Sequence, residues 1–455
     1  MIEFETDSRK IKPGQTFVAI KGFTVDGHDF IKSAIEKGAT KIIVEEDVNY
    51  DVETIKVDST KEYLKNELVN KYSKEFDDLH IIGVTGTNGK TTTCYLTYQF
   101  MNKLGLKTAY MGTIGFYYDD VKIELPNTTP EILTVYNLIM EAKEHGCKYI
   151  VMEVSSHSLE EERIAGIKFD VTAFTNLTQD HLDFHKTMDN YLNAKLKIFN
   201  YLKDDGIMIV NNDDPYASNF INDKSVTLGY KEDSNLRIIN ANYTPMNTTI
   251  DFTKDGKEYS VVTNLTSKFN VYNYLTCYYI LNKLGIDDEK MIEITKDIYP
   301  PKGRCEIVKV NKGVAVIDYA HTPDAVEKVI NSFNELKQNR LITIVGCGGD
   351  RDRTKRPIMG DIACKLSDHV IFTNDNPRTE DPNQIMNDIV KDLKYNNFEI
   401  IFDRVEAIFK GIDMMEDNDI LLILGKGHED YQIIGKEKIH YDDHETVQKW
   451  IEEHK

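Results

Sequence analysis

Short apolar runs alternate with segments of helical periodicity along most of the chain. The first two runs, at residues 16–20 and 41–44, flank a helical pattern at 30–37. Alternation of buried strands with amphipathic helices is typical of α/β proteins with largely parallel sheets. A chain of 455 residues has room for about three domains at roughly 150 residues each. We therefore predict an α/β fold of three domains.

Proline and glycine mark the clearest boundary, Tyr-Pro-Pro-Lys-Gly at 299–303. A second block begins at the apolar run 81–84, so we predict domains at 1–79, 80–302 and 303–455. The second should carry a P-loop ATPase-type parallel sheet, and the third should be Rossmann-like. The strands predicted for the third domain are 314–318, 341–346, 369–373, 399–402 and 420–424.

Charge and composition narrow the class of protein. The formal net charge of -20 repels phosphate backbones, which argues against nucleic-acid binding. The N-terminus has no apolar core typical of a signal peptide, and the most apolar run, 420–424, is too short to cross a membrane. Six scattered cysteines without a CxxC pair fit a reducing compartment. We expect a cytoplasmic protein without a membrane partner.

A phosphate-binding loop is the first candidate site. Residues 83–92, Gly-Val-Thr-Gly-Thr-Asn-Gly-Lys-Thr-Thr, follow a predicted strand and open a helix. Glycines let backbone N–H groups surround phosphate oxygens; Lys90 would neutralise the β- and γ-phosphates, and the Thr91 hydroxyl would help hold Mg²⁺. Val84 stands at the usual first glycine, so the motif is a variant. A switch GTPase, a motor ATPase and a ligase share such loops, but the chain lacks the guanine-reading NKxD.

Polar clusters follow two further predicted strands. One strand delivers Glu153 at its C-terminal end, directly before Val-Ser-Ser-His at 154–157, and the next delivers Asn-Leu-Thr-Gln-Asp-His at 176–181. Sites in α/β proteins form at these strand ends. Beside a phosphate loop, the clusters indicate a Mg²⁺ site, although His181 would be an unusual ligand because Mg²⁺ prefers oxygen.

Lys195 stands out by its position in the helical pattern. At 100° per residue it falls on an apolar stripe with Leu192, Leu196, Phe199 and Leu202. Burial drives lysine towards its neutral form, which can act as a nucleophile or take up CO2 to become a carbamate. The alternative is an ordinary lysine that extends its amine to the surface.

The third domain offers groups for a zwitterionic amino acid. Four bases (Arg351, Arg353, Lys355 and Arg356) form a possible anion-binding patch after Gly-Cys-Gly-Gly-Asp at 346–350, and a dinucleotide GxGxxG spacing fails there. Asp-Asn-Pro-Arg at 375–378 follows a strand and supplies a guanidinium able to grip a carboxylate. Gly-Lys-Gly-His-Glu at 425–429 adds a carboxylate after the final strand.

Motifs over nearly the whole chain resemble the Mur ligases of peptidoglycan precursor synthesis, in particular those that add the third peptide residue. In chain order, the motifs are Asp-Ser-Arg at 7–9, Asp-Gly-His at 26–28, the loop at 86–91, Asn-Thr-Thr-Pro at 127–130, Glu-Val-Ser-Ser-His at 153–157, the cluster at 176–181, the Lys195 helix, Phe-Asn-Val-Tyr-Asn at 269–273, Gly-Arg at 303–304, Asp-Tyr-Ala-His at 318–321, and the segments 346–356, 375–378 and 425–429.

The resemblance implies an N-terminal UDP-substrate domain, a central ATP-binding domain and a C-terminal amino-acid-binding domain. It implies that UDP-MurNAc-dipeptide is bound by Ser8, Thr128, Thr129, Ser155, Glu161 and Arg163. It implies that ATP is bound by Thr85, Gly86, Thr87, Asn88, Gly89, Lys90, Thr91, Asn270, Asn273 and Arg304. It implies that meso-diaminopimelate is bound by Arg351, Asp375, Asn376, Pro377, Arg378, Gly425 and Glu429.

The resemblance also assigns the chemistry. Thr91, Glu153 and His181 would hold Mg²⁺; Lys90, Glu153, His181 and Lys195 would be catalytic, with Lys195 carbamylated. The expected reaction is ATP-dependent amide formation through an acyl phosphate by a monomer acting only on small molecules. Two positions differ from the family pattern: Ser267 replaces a usual glycine, and Glu161 a frequent glutamine.

Three alternative functions remain open from the sequence: a related ligase, a nucleotide-binding regulator and a folate ligase. A ligase of the same fold could add L-lysine or another amino acid, or serve a separate pathway as a paralogue. A nucleotide-binding regulator would hydrolyse no ATP. A folate-polyglutamating ligase would share the phosphate loop but should lack Asp-Asn-Pro-Arg.

Overall fold

The computed structural model describes residues 2–22 and 25–454. Its backbone divides into two compact units. The first runs to Thr227 and includes Tyr279–Gly285; the second comprises Leu228–Tyr278 and the chain from Ile286 onward. The boundaries expected at residues 79–80 and 302–303 remain a prediction, since this division follows other positions.

The first unit begins with a small parallel sheet of order β1-β2-β3-β4. Its elements are β1 (Phe4–Glu5), β2 (Thr16–Val18), α1 (Ile31–Glu36), β3 (Lys41–Val44), β4 (Glu53–Lys56) and α2 (Thr60–Tyr72). Helix α2 starts where the Ser59 hydroxyl accepts a hydrogen bond from the Glu62 amide, a typical N-cap. The strand predicted at 41–44 is present with those bounds, whereas the strand predicted at 16–20 and the helix predicted at 30–37 are slightly shorter than expected.

The larger sheet of the first unit contains the phosphate loop. Its elements are β5 (His80–Thr85), α3 (Lys90–Lys103), β6 (Thr108–Gly112), β7 (Gly115–Tyr118), β8 (Val121–Ile123), α4 (Ile132–Glu144), β9 (Tyr149–Glu153), α5 (Ser156–Glu160), β10 (Phe169–Phe174), α6 (Leu182–His185), α7 (Met188–Leu196) and β11 (Leu202–Asn211). The order is β11-β10-β5-β9-β6-β7-β8, and neighbouring strands are parallel except in the antiparallel pairs β6–β7 and β7–β8. The carboxyl ends of β5, β9 and β10 therefore lie side by side, where α/β proteins place their sites.

The second unit starts with an antiparallel meander and two helices. Strand β12 (Ser225–Gly229) and helix α8 (Lys268–Lys283) each contribute residues to both units. Between them lie β13 (Leu236–Tyr243), β14 (Thr248–Lys254) and β15 (Lys257–Thr263), and α9 (Asp288–Thr295) follows.

The rest of the second unit is a six-stranded sheet of order β16-β17-β21-β18-β19-β20, parallel except for β16. The sheet and its helices comprise β16 (Glu306–Val310), β17 (Gly313–Asp318), α10 (Pro323–Asn334), β18 (Leu341–Val345), α11 (Lys355–Leu366), β19 (His369–Phe372), α12 (Pro382–Val390), β20 (Phe398–Ile400), α13 (Arg404–Asp413), β21 (Asp419–Leu424) and α14 (Asp443–Glu453). Between β21 and α14, β22 (Tyr431–Ile434) and β23 (Glu437–His440) form a separate antiparallel pair. Residues of β21 alternate between two cores, one on each face of the sheet. Burial on both faces explains why this strand is a continuous apolar run.

The architecture confirms the predicted α/β class with mixed, mostly parallel sheets. The strand predicted at 399–402 is present with shifted ends, since β20 spans Phe398–Ile400. Within the part of the chain that the structure describes, none of the helices is both long and apolar enough to cross a membrane.

Candidate active site

The phosphate loop connects β5 to α3. Gly86 and Gly89 have φ angles of 146° and 86°, conformations that glycine adopts without strain. A Cβ atom on Gly86 would lie 1.9 Å from Thr175 Oγ1, so no side chain fits there. The first-turn amides of α3 have no partner inside the helix and carry the positive end of its dipole. The loop therefore has the backbone geometry that binds an anion.

Residues after β10 hold this loop in place. The amides of Thr87 and Asn88 donate to Asn176 O and Asn176 Oδ1, at 2.8 and 3.0 Å. Asn176 Nδ2 and Thr175 Oγ1 both donate to Asn88 O, at 3.0 and 2.6 Å. These bonds fix the curvature of the loop before any ligand arrives.

Two lysines converge on one carbonyl of the loop. Lys90 Nζ donates to Gly86 O at 2.9 Å and to Thr87 O at 2.9 Å. Lys195 Nζ donates to the same Gly86 O at 2.8 Å. The Tyr191 hydroxyl lies 3.1 Å from Thr87 Oγ1, and its ring centroid lies 4.7 Å from Lys195 Nζ. Helix α7 is therefore attached to the phosphate loop through two of its side chains.

Lys195 is 1% exposed, as its position on the stripe predicted. Burial, reinforced by the positive charge of Lys90, lowers its pKa well below the ordinary value. The stripe itself was only partly right. Helix α7 ends at Leu196, and Leu202 already belongs to β11. Leu192 and Leu196 are only partly buried, because Tyr191 and Ala194 supply the buried face instead.

The carboxylate of Glu153 lies at the end of β9 and is completely buried. Four donors surround it: Tyr110 OH and Thr113 N contact Oε1 at 2.5 and 2.9 Å, and Thr91 Oγ1 and Thr113 Oγ1 contact Oε2 at 3.0 and 3.1 Å. Burial and the adjacent Glu153 charge raise the pKa of Tyr110 well above its ordinary value, so this phenol stays a donor. The carboxylate is rigidly oriented towards the helix that carries the phosphate loop.

The donor set fits a hard divalent cation. Thr91 and Glu153 supply buried oxygen atoms, the atoms that Mg²⁺ prefers. His181 has a left-handed backbone (φ 53°), a half-exposed side chain, and a ring centroid 4.9 Å from that of His157.

Among the described residues, the one group of three His, Cys, Asp or Glu side chains close enough to share an ion is Asp26, His28 and Glu46. His28 Nδ1 donates to Asp26 Oδ1 at 2.7 Å, because its Nε2 accepts from the Glu45 amide at 2.9 Å. Both ring nitrogens are therefore used, and the trio does not resemble a metal site.

Five of the side chains expected at the UDP-MurNAc-dipeptide meet beside Glu153. Thr128 Oγ1 lies 3.0 Å from Thr113 Oγ1, and Thr129 Oγ1 donates to Glu153 O at 2.8 Å. Ser155 caps α5 through the Ser158 amide, and its own amide donates to Thr129 Oγ1 at 3.1 Å.

Arg163 completes this group. Its Nη1 donates to Thr129 O at 2.9 Å, and its Nη2 lies 2.7 Å from Glu161 Oε2 and 3.1 Å from Glu131 Oε1. Ser8, the sixth expected residue, is buried after β1 and forms no hydrogen bond to the other five among the described residues.

In the second unit, the residues expected at the nucleotide form two small groups. Asn270 and Asn273 are buried in the first turns of α8, where Asn273 Nδ2 donates to Asn270 Oδ1 at 2.9 Å. The Arg304 guanidinium lies 5.1 Å from the Tyr319 ring, which also contacts the rings of His321 at 4.6 Å and His428 at 4.8 Å. Arg304 Nε and His428 Nδ1 are buried without a hydrogen-bond partner among the described residues. Such unpaired buried nitrogens mark a place where a polar ligand would be favourable.

The loop after β19 carries the expected amino-acid pocket. Arg378 has a left-handed φ of 51°; its amide donates to Ile433 O at 3.0 Å, and its Nη1 donates to Gly349 O at 2.9 Å. Asn376 Nδ2 donates to Glu429 Oε2 at 2.9 Å, and Asp375 Oδ2 would lie 2.8 Å from a Cβ on Gly425. The structure thus brings together Asp375, Asn376, Pro377, Arg378, Gly425 and Glu429, with Gly349 packed on the Pro377 carbonyl.

The expected four-base patch is smaller than predicted. Arg356 is fully buried and pairs with Glu380 and Asp388 at 2.9 and 3.0 Å, while its Nη2 donates to Gly348 O at 3.1 Å. It therefore supports the loop from inside and cannot receive an anion. Arg351 remains exposed, with Nη1 bonded to the Asp350 carbonyl.

Sequence reasoning missed the residues that orient the site without carrying charge. Tyr110 and Thr113 supply three of the four bonds to the Glu153 carboxylate, and Tyr191 joins α7 to the loop. A tyrosine in a buried strand is predicted to be an ordinary core residue, so the sequence pattern gave no indication that Tyr110 contacts Glu153. Tyr191 lies four residues before Lys195 on one helix face, a spacing that could have suggested it.

Three sequence profiles match successive stretches of the chain. Residues 4–75 match "Mur ligase family, catalytic domain", residues 84–281 match "Mur ligase middle domain", and residues 303–427 match "Mur ligase, glutamate ligase domain".

Individual proteins are similar over almost the full length. A protein of Clostridium perfringens named UDP-N-acetylmuramoyl-L-alanyl-D-glutamate--2,6-diaminopimelate ligase is 43% identical over 98% of this chain and 94% of its own. A protein of the same name from Bacillus cereus is 42% identical over 98% of this chain and 93% of its own.

Solved structures share the fold. One of a protein with that name has a TM-score of 0.73 at 30% identity, covering 99% of this chain and 94% of that one. The MurF ligase of Thermotoga maritima in complex with ADP has a TM-score of 0.66 at 18% identity, with 93% of each chain covered. Together with the matched profiles and the geometry of the phosphate loop, these similarities establish that the chain belongs to the Mur ligase family.

Proposed function

We propose that this chain is an ATP-dependent amide ligase that adds meso-diaminopimelate to UDP-N-acetylmuramoyl-L-alanyl-D-glutamate during peptidoglycan precursor synthesis. The observation that carries the proposal is the convergence of Lys90 and the buried Lys195 on the Gly86 carbonyl of the phosphate loop. A switch or motor NTPase has no need for a second, desolvated amine at this position. The relatives that are more than 40% identical bear the name of this activity.

The first unit would activate the substrate carboxylate. The Lys90 ammonium and the first-turn amides of α3 would neutralise the γ-phosphate while the terminal D-Glu carboxylate attacks it, giving an acyl phosphate and ADP. Thr91, Glu153 and His181 would hold Mg²⁺, which would supply additional charge neutralisation. Arg163 and Ser155 would orient the muramyl dipeptide.

Lys195 would act as a carbamate. Its neutral amine attacks CO2, one proton is released, and the product is an anionic carbamate whose remaining N–H can still donate to Gly86 O. The low pKa favours this step, because only the neutral amine has a free electron pair. The resulting negative charge would help place the cation-bound phosphates next to Lys90.

The second unit would supply the amino acid. Arg378 would pair with the side-chain carboxylate of diaminopimelate, a group that lysine lacks, while Glu429 and Asp375 would accept hydrogen bonds from its ammonium groups. One ammonium group then loses a proton to solvent, and the free amine attacks the acyl carbon; the tetrahedral intermediate collapses, and inorganic phosphate leaves with the second proton. Asn270, Asn273 and Arg304 would contact the nucleotide, which fits the unpaired Arg304 Nε.

The deciding experiment measures phosphate release with ATP and UDP-MurNAc-dipeptide in the presence of diaminopimelate, L-lysine or no amino acid. We expect release that depends on diaminopimelate, with a tripeptide product of matching mass. Release with L-lysine alone would identify a lysine-adding ligase, and the absence of release under all conditions would identify a non-hydrolysing nucleotide binder. Either of these two results would refute the proposal.

A further inference from the structure

A fully buried lysine lies beneath the expected amino-acid pocket. Lys426 follows β21, is 0% exposed, and has its ammonium within 5.5 Å of the Tyr431 ring and 5.9 Å of the Tyr441 ring. The flanking Gly425 and Gly427 both have positive φ angles, so the backbone turns the lysine inward. None of the roles considered so far uses this side chain.

The ammonium joins two pocket residues. Lys426 Nζ donates to Asn376 Oδ1 at 3.1 Å and to Glu429 Oε2 at 3.1 Å. Glu429 Oε2 also accepts from Asn376 Nδ2 at 2.9 Å, so the three side chains form a closed triangle. Glu429 Oε1 has no hydrogen-bond partner among the described residues, and the side chain is 15% exposed. One carboxylate oxygen is therefore fixed and the other is available.

The triangle also fixes which way the Asn376 amide faces. An ammonium can only donate, so the Asn376 atom that faces Lys426 must be the acceptor Oδ1. The Ile433 amide donates to the same oxygen at 3.0 Å, so a second donor also requires Oδ1, and not Nδ2, at this position. Nδ2 must then point at Glu429. Two residues expected to contact the amino acid are thus oriented by one buried cation.

Stability alone gives little reason for this arrangement. Removing an ammonium from water is costly, and an apolar replacement of a buried ion pair is often neutral or stabilising. Glu429 could instead face solvent, since its side chain lies at the pocket margin.

We propose that Lys426 is a positioning residue for amino-acid recognition, which acts by holding Glu429 and Asn376 in the orientation that receives the substrate ammonium. This inference rests on the proposed function, since it presumes that the amino acid binds at Glu429. Lys426 contacts no substrate itself; it determines where the free Glu429 oxygen points and places a positive charge beside the Glu429 carboxylate.

The test is a double-mutant cycle with Lys426→Met and Glu429→Gln, with KM measured separately for diaminopimelate, ATP and UDP-MurNAc-dipeptide. We expect Lys426→Met to raise the KM for diaminopimelate at least tenfold and to leave the KM for ATP within about twofold. In the Glu429→Gln background, the same change should raise the KM for diaminopimelate less than threefold, because the group that Lys426 positions is already altered.

Two further variants separate positioning from folding. Lys254→Met removes another buried lysine, on β14 and outside the C-terminal sheet, and should leave the KM for diaminopimelate unchanged. Lys426→Gln keeps one donor and should give an intermediate KM; it decides the question if Lys426→Met does not fold.

The outcomes distinguish this inference from the proposed function. An unchanged KM for diaminopimelate, an equal rise in all three KM values, or independent effects of the two substitutions would overturn the positioning role while ligation by the parent protein remains. Failure of the parent to use diaminopimelate would overturn the proposed function itself, and this inference with it.

Discussion

Replacing Lys195 by methionine removes the amine that approaches the phosphate loop and retains most of the side-chain volume. We expect ligation to fall by at least about 100-fold, the order found when one preorganised electrostatic contact to a transition state is removed. The matched control is Lys197→Met, two residues further on, whose side chain is 40% exposed and pairs with Glu160 at 2.7 Å. This control should retain nearly full activity.

The ionisation of the Lys195 amine determines how much of it can react with CO2 and how its burial affects stability. With the ordinary lysine pKa of 10.5, about one amine in a thousand is neutral at pH 7.5. Each unit by which burial lowers the pKa raises this fraction about tenfold and costs the folded state about 1.4 kcal/mol below that pKa. Between the folded and unfolded pKa values the unfolded chain binds more protons, so the stability of the parent rises with pH relative to Lys195→Met. A stability difference that does not change with pH would mean that the amine stays charged.

The direct assay is carbon-13 NMR of the protein in labelled bicarbonate. A carbamate resonance should appear in the parent and in Lys197→Met, and it should be lost in Lys195→Met. Near-normal turnover of Lys195→Met, or a carbamate signal that survives its substitution, would refute the assigned role.

Three other substitutions test separate parts of the second unit. Arg378→Ala should abolish the preference for diaminopimelate over L-lysine in a competition assay, because the guanidinium would pair with the extra carboxylate; an unchanged preference would contradict the assignment. Ser267→Gly should raise the thermal midpoint, with about 1 kcal/mol gained, since Ser267 has φ 77° and a buried hydroxyl without a partner among the described residues. Gly303→Ala should sharply reduce diaminopimelate-dependent turnover, because its Cβ would lie 2.0 Å from the Gly427 carbonyl carbon. Gly256→Ala, which has a similar φ and open space around it, should be mild; equal effects would contradict the steric reason.

Periodicity predicted the central strands well and the ends of elements poorly. Strand β21 is apolar from Ile420 to Leu424 because both of its faces are buried; the observed strand, Asp419–Leu424, differs from the prediction only by the polar residue at its start. The helix around Lys195 ends at Leu196, where the chain changes to a 3-10 turn before β11. A repeat of 3.6 residues cannot reveal that change, because it depends on tertiary packing.

The sequence predicted the charged residues and glycines of the candidate site, but it did not predict the residues that orient them. Glu153 was recognised at a strand end, but Tyr110 reaches it from a neighbouring strand 43 residues away in sequence. Arg356 was expected to face an anion because it stands among other bases, yet its partners Glu380 and Asp388 come from later in the chain. The roles of Tyr110 and Arg356 depend on contacts with residues that are distant in sequence, and a single sequence does not reveal such contacts.

The pairing of buried lysines separates structural from functional roles. Lys254 lies 3.0 Å from Asp288 and 3.2 Å from Asp255; although burial opposes it, these carboxylates raise its pKa, so the fold itself accounts for this charge. Lys426 has one carboxylate, Glu429, which lies at a pocket margin. Lys195 has only a backbone carbonyl and an aromatic ring among its described contacts, and its pKa is lowered. A buried amine with few carboxylate partners destabilises the fold, so a contribution to stability does not explain why it is there. Among these three buried lysines, Lys195 and Lys426 are therefore the ones whose placement folding explains least.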